Sequence, residues 1–183
     1  IINQYIYNSY SIEHMATVGI DYASKDIVEH NTTTKLQIWD TAGQEKFHSL
    51  IPSYIRNSNV AILVYDITVR SSFENLQKWH QTVINSSNPV CIVAGNKCDL
   101  DSEREISTEE GQKFANQIKA DFIETSARVP INVQELFKKV LSAPITQSED
   151  IKKPGSKDAD QTIVVTVDVK NENKNENQNG CSC

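Results

Sequence analysis

The chain has 183 residues, 38% hydrophobic and 23% charged, a balance ordinary for a globular protein, with a formal net charge of −6. That charge argues against non-specific nucleic-acid binding, which needs a basic face, and no run reaches the ~18 apolar residues that span a bilayer. Four cysteines, at 91, 98, 181 and 183, suggest neither a disulfide scaffold nor a zinc site. No charged-then-apolar signal peptide opens the chain, which predicts synthesis in the cytosol.

In chain order, Ile1 to Asn8 predicts a helix with Ile2, Tyr5 and Ile6 on one face, followed by Tyr10. Val18 to Val28 alternates weakly and reads as a strand, residues 30–34 as a hairpin turn, and Lys35 to Trp39 as its partner strand. That strand runs into Asp40-Thr41-Ala42-Gly43-Gln44-Glu45. Asp, Thr and Gly are good turn residues, but an Asp and a Gly at a strand's carboxyl end are also laid out to meet a metal ion and a phosphate. Residues 46–58 are unusually apolar for a loop, so Phe47, Leu50, Ile51, Tyr54 and Ile55 either pack inward or form a surface that partners read.

Val60 to Asp66 predicts a buried strand, and Ser71 with Glu74 a capping box before Phe73, Leu76, Trp79 and Val83 at helical spacing. Val90 to Gly95 is a second buried strand, releasing Asn96-Lys97-Cys98-Asp99. Beyond an exposed loop at 100–106, Ser107 and Glu110 cap a helix carrying Phe114, Ala115 and Ile118. Phe122-Ile123 reads as a short strand, and Val133, Leu136, Phe137, Val140 and Leu141 as a last helical stripe stopped at Pro144. The alternation predicts an α/β domain over 1–144, a doubly wound, mostly parallel sheet.

Together DTAGQE at 40–45, NKCD at 96–99 and ETSAR at 124–128 resemble the guanine-nucleotide motifs of the Ras superfamily. Val18 to Tyr22, Trp39, Lys46 to Leu50 and the terminal Cys181-Ser182-Cys183 resemble the Rab family, and residues 49–56 its Golgi-associated Rab six subgroup. The resemblance implies the small G domain of the P-loop NTPases, a GTPase that cycles between GTP and GDP with Mg²⁺, and a role in vesicle traffic. It implies that Thr17 and Asp40 hold the metal, that Gly43 meets the γ-phosphate, and that Gln44 orients the attacking water. Tyr10 is implied beside the guanine, which Asn96, Lys97, Ser126, Ala127 and Arg128 also contact; Arg128 stands where the family usually has Lys. Asp99 is expected to set base choice, because a carboxylate accepts from both the ring N–H and the exocyclic amine of guanine.

Val18, Ile20, Tyr22, Trp39, Phe47 and Tyr54 are implied as the effector face of a monomer. The implied partners are a GAP, an exchange factor, a GDP-dissociation inhibitor, an escort protein and effectors, at the cytosolic face of Golgi or related vesicle membranes.

One departure stands against these matches. The family opens with a strand and the loop G-x-x-x-x-G-K-[ST], and none of this chain's six glycines fits that spacing. The first expectation is an ordinary Rab whose sequence here starts downstream of that loop, the second a P-loop-less, nucleotide-deficient module that binds partners without catalysis. Loss of the central strand predicts unpaired buried edges on its two neighbours.

The tail, 145–183, carries seven acidic and five basic residues with Asn-Glu-Lys low complexity, and reads as a disordered spacer. Within it, Thr162 to Val169 alternates with Ile163, Val165, Val167 and Val169 on one side, either as an edge strand or as a segment that engages the escort protein. The ending resembles the Cys-x-Cys that receives two geranylgeranyl chains at Cys181 and Cys183, which would anchor the protein to a membrane.

Overall fold

The computed structural model describes residues 1–11, 20–29, 32–41, 56, 58–144, 162–165 and 167–168. Helix α1 (Ile2–Tyr7) precedes the hairpin β1 (Ile20–Glu29) and β2 (Thr32–Thr41), and then β3 (Val60–Asp66). Two helical segments, α2 (Arg70–Glu74) and α3 (Leu76–Ser86), lead to β4 (Val90–Asn96). Helix α4 (Thr108–Gln117), β5 (Asp121–Thr125) and α5 (Val133–Leu141) complete the domain, and β6 (Thr162–Val165) and β7 (Val167–Asp168) come from the tail.

Strands β5, β4 and β3 are parallel neighbours, the doubly wound arrangement that buried apolar runs between helices predict. Side chains along β3 alternate between two cores. Ala61, Leu63 and Tyr65 pack with Trp79, Val83 and Ala115, whereas Val60, Ile62 and Val64 pack with Leu136, Phe137 and Val140. Tyr5 fixes α1 to the second core by stacking on Phe137 with ring centroids 3.7 Å apart, while Lys25 Nζ donates to its carbonyl oxygen.

Local expectations needed correction in three places. Thr32, Thr33 and Thr34 belong to β2, not to a turn, in register with Glu29, Val28 and Ile27; β-branched residues suit a strand. Ser71 caps nothing, since α2 begins at Arg70 behind Val69 without a side-chain cap; its neighbour Ser72 instead accepts from the Asp66 amide at 3.0 Å. The 100–106 loop is not wholly exposed. Ile106 is fully buried, and the amides of Glu105 and Ile106 both donate to the Ile67 carbonyl. The Ser107–Glu110 capping box is formed as expected.

The tail strands are terminal in their sheets, β6 in the order β1-β2-β6 and β7 in the order β5-β4-β3-β7. Lys35 to Ile38 of β2 pair in parallel with Thr162 to Val165, and Leu63 and Val64 of β3 pair in parallel with Val167 and Asp168. Strand β6 also lies against β3 and β7 against β2, so one short segment joins the hairpin to the parallel sheet.

Candidate functional site

The registers Asp66↔Asn96 and Asn96↔Thr125 set the carboxyl ends of β3, β4 and β5 level with one another. Their loops therefore leave the sheet side by side, at the edge where open α/β sheets bind ligands. Asp40 and Thr41 end β2, which runs in the same sense through β6 and β7.

Asn96 ends β4 and ties two loops: its Oδ1 accepts from Thr125 Oγ1 at 3.3 Å, and its carbonyl oxygen accepts from the Ile67 amide. Lys97 takes a left-handed backbone with φ 65°, and its Nζ lies 2.6 Å from Asp66 Oδ2. The Cys98 amide donates to the Thr125 carbonyl, which pulls the 96–99 loop onto β5, and burial pushes the Cys98 thiol up. Asp99 follows with Oδ1 buried and without a hydrogen-bond partner among the described residues. Leaving a carboxylate oxygen dry and unpaired is costly, so a donor from outside the described residues would be favoured there.

Just past β5, Ser126 and Ala127 are buried; Ser126 Oγ accepts from the Val129 amide at 3.0 Å and its backbone exchanges hydrogen bonds with Ile131. Arg128 points into solvent on the same turn, and Tyr10, beyond α1, is 43% exposed. Tyr22 and Trp39 face each other across the hairpin with ring centroids 4.8 Å apart, and Tyr22 is nearly half exposed. Ile20 and Asp40 lie at the same end of that hairpin and are partly buried. Thr17, Val18, Gly43, Gln44, Phe47, Tyr54, Cys181 and Cys183 lie outside the described residues.

Two groups that spacing did not mark support the site. Asp66 Oδ1 accepts from both the amide and the hydroxyl of Thr68 while Oδ2 holds Lys97. An Asp closing a buried apolar run is the same signal that singled out Asp40, so Asp66 was findable. Glu124 accepts a two-pronged pair from Arg104, at 2.6 and 3.0 Å, and a third hydrogen bond from Thr108. This clamp ties the loop after Asp99 to the strand that delivers Ser126 and Ala127.

Among the described residues no cluster of His, Cys, Asp and Glu could hold a metal by itself. Mg²⁺ does not need one: it is commonly bound through one or two carboxylates plus substrate phosphates and water, and Asp40 at the end of β2 fits that role. Asp99 in turn fits a purine that offers two donors on one edge. A family model described as Ras: Ras family matches residues 1–145, which contain every element from α1 to α5.

Proposed function

Because the chain belongs to the Ras family of small GTPases, we propose that it acts within that family as a Rab-type switch that regulates vesicle traffic at Golgi-related membranes. The observation that carries the nucleotide reading is the buried, unpartnered Oδ1 of Asp99. Guanine supplies a ring N–H and an exocyclic amine to such a carboxylate, whereas adenine presents an acceptor and lacks that amine. The wrong base leaves the charge desolvated and unpaired, so discrimination is large.

Around the base, Asn96 holds the loops together, the Lys97 stem lies along the ring, and the Ser126–Ala127 backbone closes the far side. Asp40 and Thr17 would hold Mg²⁺, which when bound would supply positive charge beside the phosphates. Gln44 orients the attacking water. A partner that supplies an arginine accelerates hydrolysis by roughly 10³–10⁵. The Rab assignment rests on the sequence match of the switch segments and on the Tyr22–Trp39 pair, an exposed aromatic step on which an effector can dock. The same assignment has GAP, exchange-factor, GDP-dissociation-inhibitor and escort partners, and two prenyl chains on Cys181 and Cys183.

A fluorescent-nucleotide titration of Asp99→Asn tests this. Guanine affinity should fall at least about a hundredfold while xanthine nucleotide binding appears. Unchanged GDP affinity would remove Asp99 from its role.

A second reading is favoured by one observation: residues 162–165 pair with β2 and residues 167–168 with β3, the two strands between which the family has the strand leading into its phosphate loop. With those strands paired by its own tail, the chain acts as a nucleotide-deficient, partner-binding module. Failure of the unmodified protein to retain any guanine nucleotide at micromolar concentration selects this reading.

A further inference from the structure

We infer that Arg104 and Glu124 are the positioning pair behind guanine selectivity, holding the Asp99 loop at one fixed place against the turn that carries Ser126 and Ala127. It rests on the reading of Asp99 as the base-recognising carboxylate and adds what fixes that carboxylate in place.

The two loops need a link beyond the sheet. Pairing of β4 with β5 ends at Asn96↔Thr125, and past it the Cys98 amide donates once more to the Thr125 carbonyl. The chain then winds through short turns: the amides of Leu100, Glu103 and Arg104 donate to the carbonyls of Lys97, Leu100 and Asp101. Arg104 ends this run and fastens it on three sides. Its Nε donates to Asp101 Oδ1 at 2.8 Å, its Nη1 to the carbonyl of the buried Ile106 at 3.1 Å, and Nη1 and Nη2 to the two oxygens of Glu124 at 2.6 and 3.0 Å. Glu124 is itself fixed: its carboxylate also accepts from the Thr108 hydroxyl, and its carbonyl oxygen accepts from Asn132 Nδ2 at 2.9 Å. One guanidinium therefore joins the turns that follow Asp99 to β5, two residues before Ser126.

The chemistry of the pair favours direction over adhesion. The side chains of Arg104 and Glu124 are only 19% and 17% exposed, and an ion pair that has lost most of its hydration adds little net stability over apolar side chains of similar volume. What a two-pronged pair adds is geometry, because a planar fork meets a carboxylate in one orientation, which neither lysine nor an apolar contact imposes. Guanine demands that geometry. Asp99 has to accept from the ring N–H and the exocyclic amine together, and hydrogen bonds weaken steeply as they bend or lengthen. With the loop loosened, the second bond is lost, and inosine diphosphate (IDP), which has the ring N–H but no amine, competes nearly as well as GDP.

Displacement of a fluorescent GDP analogue from the full-length protein, with Mg²⁺ present, by unlabelled GDP and by IDP measures this preference as a ratio of affinities. Partial unfolding weakens both ligands by the same factor, so the ratio reports the position of Asp99 and not stability. In Arg104→Met/Glu124→Leu no charge is left unpaired, and the melting temperature should lie nearer the parent's than that of Arg104→Met alone. Its preference for GDP over IDP should nevertheless fall at least about tenfold. Arg104→Lys, which keeps the charge without the fork, should lower the ratio in the same direction, and it decides the matter if the double variant does not fold. A parent that prefers GDP, with variants that keep its ratio, overturns this proposal alone, whatever their melting temperatures. A parent that binds neither ligand, or both equally, overturns the reading of Asp99 and this proposal with it.

Discussion

Lys97 Nζ sits 2.6 Å from Asp66 Oδ2, so the loop that follows β4 is pinned to the end of the neighbouring strand β3 by one ion pair. The lysine is nearly half exposed, which limits the pair's contribution to stability. Its effect is positional: Lys97 is held in a left-handed backbone two residues before Asp99.

Asp66→Asn separates these effects. The amide oxygen still accepts from the Thr68 amide and hydroxyl, so only the charge facing Lys97 is lost. Urea unfolding should show a loss below about 1 kcal/mol. Release of bound GDP should nevertheless be faster than in the parent, and a large fall in stability with unchanged release would contradict the positional role.

Tyr65 lies beneath the same edge with its hydroxyl buried and without a partner among the described residues, and burial pushes its pKa well above the usual phenol value. A methyl group at Gly111 would collide with that hydroxyl and come within 2.7 Å of the Phe122 ring. Gly111→Ala should therefore destabilise by about 1 kcal/mol, because overpacking of about 1–3 kcal/mol outweighs a helix-propensity gain of about 1. Tyr65→Phe alone should be neutral or stabilising, and the pair should be better tolerated than the sum of the singles. Additive melting shifts in that double-mutant cycle would show that the hydroxyl is not what crowds Gly111.

Glu110 gives a pH signature. Hydrogen bonds from Arg70 and from the Ser107 backbone hold its carboxyl at about 2, below the ordinary 4.5. A carboxylate depressed on folding stabilises fully above its unfolded value, and this contribution is lost as pH falls from about 4.5 through 2. Glu110→Gln keeps an acceptor for Ser107 but removes the charge facing Arg70, so its melting-temperature deficit should shrink towards zero as pH is lowered across that window. A deficit of constant size would assign the effect to packing.

Cys181→Ser/Cys183→Ser should leave the protein in the soluble fraction of lysed cells, since stable anchoring takes two lipid signals and the acidic tail offers no electrostatic attraction to anionic membranes. Membrane recovery equal to the parent would remove lipid anchoring from the Rab assignment.

Where local chemistry decides an element, the sequence was readable. Val60 to Asp66 is bounded by its own apolar run, and Ser107 with Glu110 caps a helix as the pattern implies. Where two distant segments decide, it was not. Thr32 to Thr34 look like a turn until their pairing with Ile27 to Glu29 is known, and Ile106 looks like a loop residue until Ile67 receives its amide. The base loop was legible as a motif through Asp99, but its supports were not: Asp66 meets Lys97, and Glu124 meets Arg104, across separations that no spacing rule covers. The alternation at 162–169 was visible, yet nothing local names β2 and β3 as its neighbours.

The order of synthesis gives that last pairing a kinetic meaning. Residues 162–165 and 167–168 follow every other described element in the chain and pair with β2 and β3 across at least 104 positions of sequence, and contacts of such long separation form slowly.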